Sequence, residues 1–582
     1  MMSEATTVGM APGRAAGAKS ERWAWFNVWS VGTVVIAAMM TVPILTVLYI
    51  GLTPGDEIWS HLVSTVLPGY ITTTLLLMIG VGTGTFIIGV GTAWLVSTCR
   101  FPGKRMFEWA LLLPMAMPAY VIAYVYTDIL EYAGPVQVLL REIFGWTLKR
   151  QYWFPEIRSL GGAASMMTLV LYPYVYLLSR AAFMEQSVCM LEASRVLGRG
   201  PWRSFFTVAL PLARPAIVIG VSLVLMETLN DFGTVDFFAV GTFTLGIYDV
   251  WLNMNNVTGA AQLASMLLFF VVFLVLAERF GRRNQRFHHT TSKYKALPGY
   301  ELKGWARRGA VIGCALPVVF GFLLPAMVLA GYAVIHFKEA ANADVLGYAG
   351  NSVMLSALAA VLALAIGIFM AYAVRLRKER IVTFMARFAS LGYAVPGSVL
   401  AVGVLVSLGA MDNGIDGFMR RNFSLSTGLL FSGTIAAVTF GYLVRFLALS
   451  FGSVEASLGK VTPSMDGAAA SLGHTPFSTL RRIHIPLIRG SALTAAMMVF
   501  VDCMKELPMT VILRPFNFHT LATYVHQYAS DEQLGAASLA ALGIVGFGIL
   551  PVIVLSFAIT KSRPGHSKPN PAPGQTNKDQ TS

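Results

Sequence analysis

Residues 192–198 read Glu192-Ala193-Ser194-Arg195-Val196-Leu197-Gly198, and residues 467–473 read Gly467-Ala468-Ala469-Ala470-Ser471-Leu472-Gly473. The first stretch is followed by Pro201-Trp202 and Leu210-Pro211-Leu212-Ala213-Arg214. The second is followed by Pro476-Phe477 and Ile485-Pro486-Leu487-Ile488-Arg489. Ala193/Ala468, Leu197/Leu472, Gly198/Gly473, Pro201/Pro476, Pro211/Pro486 and Arg214/Arg489 all stand 275 residues apart. Upstream, Pro118-Ala119 answers Pro396-Gly397 at an offset of 278; downstream, Gly259-Ala260-Ala261 answers Gly535-Ala536-Ala537 at 276. Chance supplies single matches, not a nearly constant offset over so long a stretch, so the chain is a tandem repeat.

Working outward, the repeats are built of apolar runs. Of the 582 residues, 55% are apolar and 12% charged, and the mean hydropathy is +0.64. A soluble protein of this length needs more polar surface, a disordered chain is polar and charged, and four cysteines cannot form a disulfide framework. Apolar runs occur near Trp25–Ile50, Tyr70–Cys99, Trp109–Thr127, Ser159–Ser179, Leu210–Thr228 and Gln262–Ala277. They resume near Gly309–Ile335, Asn351–Val374, Phe388–Ala410, Ser424–Val444, Gly490–Val501 with a polar continuation, and Gln533–Thr560. Each is long enough for a bilayer span or nearly so. The expected fold is all-α: a polytopic membrane protein of about twelve transmembrane helices in two six-helix repeats. Six is even, so the repeats run parallel rather than inverted. Trp25–Ile50 is too long for a signal-peptide core and is kept as a span. The expected divisions are a tail at 1–22, a first repeat at 23–280, a basic linker at 281–308, a second repeat at 309–561 and a tail at 562–582. Both tails are polar or small-residue segments expected to be disordered.

The net charge of +14 follows the same topology. With the amino terminus inside, the inner loops carry Arg100, Lys104 and Arg105, then Arg195, Arg199 and Arg203, the run from Arg279 to Arg308, then Arg375, Arg377 and Lys378, and Lys460, Arg481 and Arg482. The outer loops are poorer in Lys and Arg, segment 128–158 excepted. This is the positive-inside distribution, with both termini cytoplasmic. It leaves no basic face for nucleic acid. The expected surroundings are a lipid bilayer. Cys99, Cys189, Cys314 and Cys503 are not expected to pair.

The strongest match between repeats lies in an inner loop, near 187–209 and 462–484, where shared identity points to function. The loop reads as a helix, a glycine stop at Gly198 or Gly473, a second short helix, and Pro211 or Pro486 at entry to the next span. These two loops resemble the EAA loop in the membrane subunits of binding-protein-dependent ABC importers, the type I permease family. The resemblance covers about residues 60–280 and again 345–560. The fused layout is similar to the two-repeat ferric-iron permeases, on Leu229-Asn230-Asp231-Phe232-Gly233-Thr234, Thr244-Leu245-Gly246-Ile247-Tyr248, Lys505-Glu506-Leu507-Pro508, Leu513-Arg514-Pro515-Phe516 and Thr520-Leu521-Ala522-Thr523. Fused permeases for thiamine and 2-aminoethylphosphonate look similar and stay open as alternatives. The resemblance implies two six-helix ABC type I permease repeats, a dimer of cytoplasmic ATPase subunits that holds ATP and magnesium, and a periplasmic substrate-binding protein. It makes Glu192, Ala193, Ser194, Gly198, Pro211, Asp466, Ala468, Ala469, Gly473 and Pro486 the ATPase-coupling loops. The family's loop glutamate is Glu192 in the first repeat but Gly467 in the second, with Asp466 one residue earlier. That loss predicts asymmetric coupling, the first loop contributing more.

The chain carries no engine of its own. The nearest approach to a P-loop is Leu458-Gly459-Lys460-Val461, but Val454 replaces the first glycine and Val461 cannot supply a hydroxyl to magnesium. No catalytic residue, cofactor or firm metal set is expected here. An ion-driven secondary transporter with parallel halves is the rival class, and it would carry no helical loop before the fifth span. Charges inside spans are costly and mark pathways. Glu227 and Asp231, and again Asp502 and Glu506, stand four apart, hence on one helix face. They form a possible pathway or gate for a cation, with Lys505 neutralising Asp502 or Glu506. Pro114, Pro118 and Pro396 are expected to kink spans. Gly80 and Gly84 are expected to allow close helix packing.

Overall fold

In a computed structural model, residues 27–53, 62–185, 200–282, 300–341, 343–377 and 379–561 are described. Among them, 11 helices are long and apolar enough to cross a membrane, and 12 if one bent pair counts as a span. In chain order the first six are Val28–Gly51, Leu67–Thr98, the pair Lys104–Ala116 and Ala119–Phe144, Leu160–Met184, Phe205–Asn230 and Val257–Leu274. The second six are Gly304–Ile335, Asp344–Arg377, Gly397–Phe423, Ile435–Leu458, Pro476–Met504 and Leu534–Ile553. Several of their hydroxyls are satisfied internally: Thr41, Thr85, Thr92 and Thr127 each return a hydrogen bond to the carbonyl four residues back.

Three expectations need correction. The third run is not one span from Trp109 to Thr127; it is broken by an 89° bend between Ala116 and Ala119. Pro118 does not kink a helix interior but stands at the N-cap of Ala119–Leu130, and Pro114 lies in a short 3-10 turn. Pro396 likewise caps the start of the ninth span rather than kinking it. The reason is shared: proline has no N–H to donate to the preceding turn, so each ends one helix and starts another.

The second and fourth spans pack closely through the predicted small residues. A Cβ on Gly84 would lie 2.7 Å from the Thr168 side chain, and one on Gly80 3.2 Å from Ala164. Beyond such pairs, the two cores do not coincide with the two repeats. One core joins Val81, Tyr172 and Val224 of the first repeat to Cys314 and Leu329 of the seventh span and Ala537 and Ile544 of the twelfth. The other joins Leu355, Val399, Tyr442 and Val499 of the second repeat to Ala37 and Val47 of the first span and Ala260 and Leu267 of the sixth. Each repeat therefore lends its first and last spans to its partner. Tyr126 Oη donates to the Phe320 carbonyl at 2.7 Å across this seam. A two-residue parallel pair, β1 (Cys99–Arg100) with β2 (Tyr300–Glu301), ties the start of the second repeat to the end of the second span. Cys99, Cys314 and Cys503 are buried free thiols.

Candidate functional site

Two regions carry the sequence-predicted residues: the repeated loop, and the far end of the fifth and eleventh spans. In the first loop, Glu192, Ala193, Ser194 and Gly198 lie outside the described residues. The second loop is described throughout. Helix Pro463–Ser471 carries Asp466, Ala468 and Ala469, and Gly473 follows with φ +78°. That left-handed geometry suits glycine. The N–H of His474 then donates to the Ala469 carbonyl at 3.0 Å, closing the helix end. The next span runs through a π-helical turn, Leu480–His484, with Pro486 just past it. The first repeat has the same turn at Phe205–Ala209, ahead of Pro211. Pro211 thus sits about two turns, and Pro486 about three turns, inside its span rather than at the entry. The wider turn accommodates the carbonyl that a proline ring would strike.

The Asp466 carboxylate does not face outward. Its Oδ2 accepts from Arg375 Nε and Nη2 at 3.0 and 2.7 Å, and its Oδ1 sits 2.7 Å from His484 Nε2. Arg375 also donates to the carbonyls of Leu458 and Val461. The loop helix is thereby bolted to the eighth span through Arg375 and to the eleventh through His484. Tyr372 Oη adds a bond to the Pro476 carbonyl at 2.8 Å.

At the other end, the four acidic residues divide into two roles. Asp231 is beyond its helix, in extended backbone, so it does not share a helical face with Glu227 as expected. Its Oδ1 accepts from the N–H groups of Thr234 and Val235 at 3.0 and 3.3 Å, capping the next short helix. Glu506 stands beyond its helix in the same way and does not continue the face of Asp502. It caps Met509 and Thr510 at 3.1 Å each. It also pairs with Arg445 at 3.0 Å, with side chains 2% and 6% exposed. Breaking so buried a pair by removing one partner costs about 3–5 kcal/mol. Asp231 and Glu506 are therefore held as parts of the scaffold. Glu227 and Asp502 are less tied: Tyr393 Oη donates to Glu227 Oε1 at 3.3 Å, and Lys505 Nζ lies 3.1 Å from Asp502 Oδ1. Of the two acids offered for Lys505, Asp502 is its partner.

These groups line one cavity of about 110 Å³ between the repeats, with Tyr120, Tyr174, Asn230 and Arg445. Helix rise puts it roughly 30 Å from the repeated loop along the fifth span. Its two sides are stitched together: Asn230 Oδ1 accepts from the Gly397 N–H at 2.6 Å. A Cβ on Gly397 would lie 2.5 Å from Arg445 Nη1 and 2.8 Å from Glu506 Oε1. A side chain there would have to displace the Arg445–Glu506 pair, whereas the first repeat has Ala119. Among the described residues, no three His, Cys, Asp or Glu side chains converge to hold a metal ion.

Sequence reasoning missed Arg445, Tyr393, Arg375 and His484 as site residues. Arg445 had a signal, since the apolar run ending at Val444 continues past it to Leu458, which makes it a charge within a span. Beyond the cavity, His526 Nδ1 is 2.8 Å from Tyr124 Oη and its Nε2 is 3.5 Å from Asp236 Oδ2, a contact between repeats. Burial lowers His526 to about 4. Burial, with Asp249 adding repulsion, raises Asp236 to about 6. At neutral pH the imidazole is uncharged beside an ionised carboxylate.

Comparison with known proteins agrees with this architecture. Residues 86–286 match the family described as binding-protein-dependent transport system inner membrane component. The chain is 26% identical to the Fe(3+)-transport system permease protein FbpB 2 of Haemophilus influenzae, over 83% of this chain and 89% of the relative. It is 22% identical to the ferric transport system permease protein FbpB of Actinobacillus pleuropneumoniae, over 80% of this chain and 68% of the relative. It is 30% identical to the molybdenum transport system permease protein ModB of Escherichia coli, over 30% of this chain and 76% of the relative. A relative of one repeat's length and relatives of two repeats' length thus match the same chain, and it belongs to the family of binding-protein-dependent transport system inner membrane components.

Proposed function

We propose that this chain forms both halves of the membrane pathway of an ATP-driven ABC importer and carries ferric iron into the cytoplasm. The observation that carries the cargo is the extent of the match: the ferric permease relatives align over both repeats, whereas the molybdenum relative aligns over 30% of the chain. The cavity's two less committed carboxylates, Glu227 and Asp502, suit a hard, highly charged cation. In this reading a periplasmic binding protein delivers the iron, and a dimer of separate cytoplasmic ATPase subunits engages the loops near Glu192, Ala193, Ser194 and Gly198 and near Asp466 and Gly473. ATP and magnesium sit on that ATPase and no cofactor on this chain. Both termini are cytoplasmic, by the distribution of Lys and Arg.

Uptake of radiolabelled ferric iron by cells lacking this chain, with and without a restored copy, tests the cargo. Uptake is expected to return with the wild-type chain and to be unaffected by excess molybdate, sulfate or thiamine. Equal uptake with and without the chain, in cells that contain the partner subunits, would remove iron as the cargo.

A further inference from the structure

The cavity between the repeats already contains a cation, and that cation is part of the chain. Lys505 closes the eleventh span, where the helix carbonyl end favours a positive charge. Its ammonium lies on Asp502 at 3.1 Å and within Coulombic reach of Glu227 and Tyr174. The other cation, Arg445, is committed to Glu506. Asp231 and Glu506 are committed to backbone N–H groups. Glu227 and Asp502 are thus the carboxylates left to meet a passing ion: at rest Asp502 holds Lys505, while Glu227 accepts from Tyr393 with Arg445 and Lys505 in Coulombic reach. A second observation marks the space as a ligand's. Tyr120, 5% exposed, lines the cavity with its hydroxyl unpartnered, in electrostatic range of Glu506 and Asp231. Arg445 Nε, equally buried, has no partner either. Buried polar atoms without partners are costly, and a partly hydrated ion entering this space brings them water.

We propose that the Lys505 ammonium is a tethered stand-in for the cargo: it neutralises Asp502 and Glu227 while the pathway is closed, and a hard trivalent cation crossing the cavity displaces it. The proposal rests on the importer reading and specifies how its pathway handles charge. Without a resident cation, two carboxylates facing each other across a low-dielectric cavity repel one another and trap any multivalent ion that enters. With Lys505 present, an ion exchanges against a charge that returns after it leaves. Binding stays weak enough for release.

Terbium(III), a redox-inert hard trivalent ion whose luminescence is sensitised by nearby tyrosines, tests this on the purified full-length chain. Wild type is expected to show weak cavity binding. Lys505→Met should bind terbium about tenfold more tightly or better. Lys505→Arg, which keeps the cation, should behave as wild type and controls for loss of the helix-end charge. Adding Glu227→Gln and Asp502→Asn to Lys505→Met should abolish the gain. Terbium binding by Lys505→Met no tighter than by wild type, or a gain that survives loss of both carboxylates, would overturn the proposal. The readout is independent of iron uptake: a failed cargo assignment leaves the terbium result standing, and a failed displacement leaves uptake intact.

Discussion

At the scale of single residues, position relative to a helix end decides what an acidic side chain does. Glu227 lies inside its helix and points a carboxylate into the cavity; Asp231, four residues on, has left the helix and caps the next one. Sequence spacing alone places both on one face, because it assumes the helix continues. The same reasoning applies to Asp502 and Glu506, with Arg445 added on one side only. The fourth span has no charge between Ser159 and Ser179 to match it. Asp236 and His526 give a second residue-scale consequence. Asp236 titrates higher folded than unfolded, so its contribution to stability falls as pH rises from about 3.8 towards 6. His526 titrates lower folded than unfolded, so its contribution rises as pH rises from about 4 towards 6.5. The two slopes oppose each other between pH 4 and 6. The apparent melting temperature of His526→Gln is therefore expected to fall more steeply than wild type across that window, and that of Asp236→Asn to rise more steeply. Thermal unfolding of the purified variants at several pH values checks this; slopes that change in the same direction would contradict the assignment.

At the scale of elements, the repeated loop was legible and its internal anchoring was not. The glycine stop at Gly473 and the paired prolines follow from local chemistry, and the structure shows the left-handed turn and the π-helical turn they require. Arg375 and His484 lie 91 and 18 residues from Asp466, a distance no local pattern reveals. Their bonds change what Asp466 is expected to do. With its carboxylate occupied within the chain, Asp466 is expected to transmit motion of the loop helix to the eighth and eleventh spans rather than to grip a partner. Asp466→Ala and Arg375→Met are each expected to lower ferric import per ATP hydrolysed several-fold, and the double variant to be no worse than the worse single one. Additive losses would show that the two residues act separately. The bent third span was hidden for a related reason: an apolar run reports burial, not continuity, and only the proline pair marks the break.

At the scale of the whole molecule, the sequence repeat and the packing unit differ. Twelve apolar runs and an offset of 275 residues reveal two parallel repeats, yet each core takes its first and last spans from the other repeat. An apolar face specifies that it will be covered, not by which neighbour, so the exchange of Val28–Gly51 and Gly304–Ile335 was not legible. Its consequence is mechanical. A movement imposed on the second loop is expected to reach both cores, and the cavity at Glu227, Asn230, Gly397 and Asp502, stitched across the repeats, is expected to open as the two move together. The most direct measurement is import of radiolabelled ferric iron into proteoliposomes holding the full-length chain with its ATPase and binding protein, for wild type and for Gly198→Leu with Gly473→Leu. Wild type is expected to import only with hydrolysable ATP, and the double variant to lose import while still inserting in the bilayer. Import that proceeds without ATP, or that survives both substitutions unchanged, would contradict a pathway driven through the two loops.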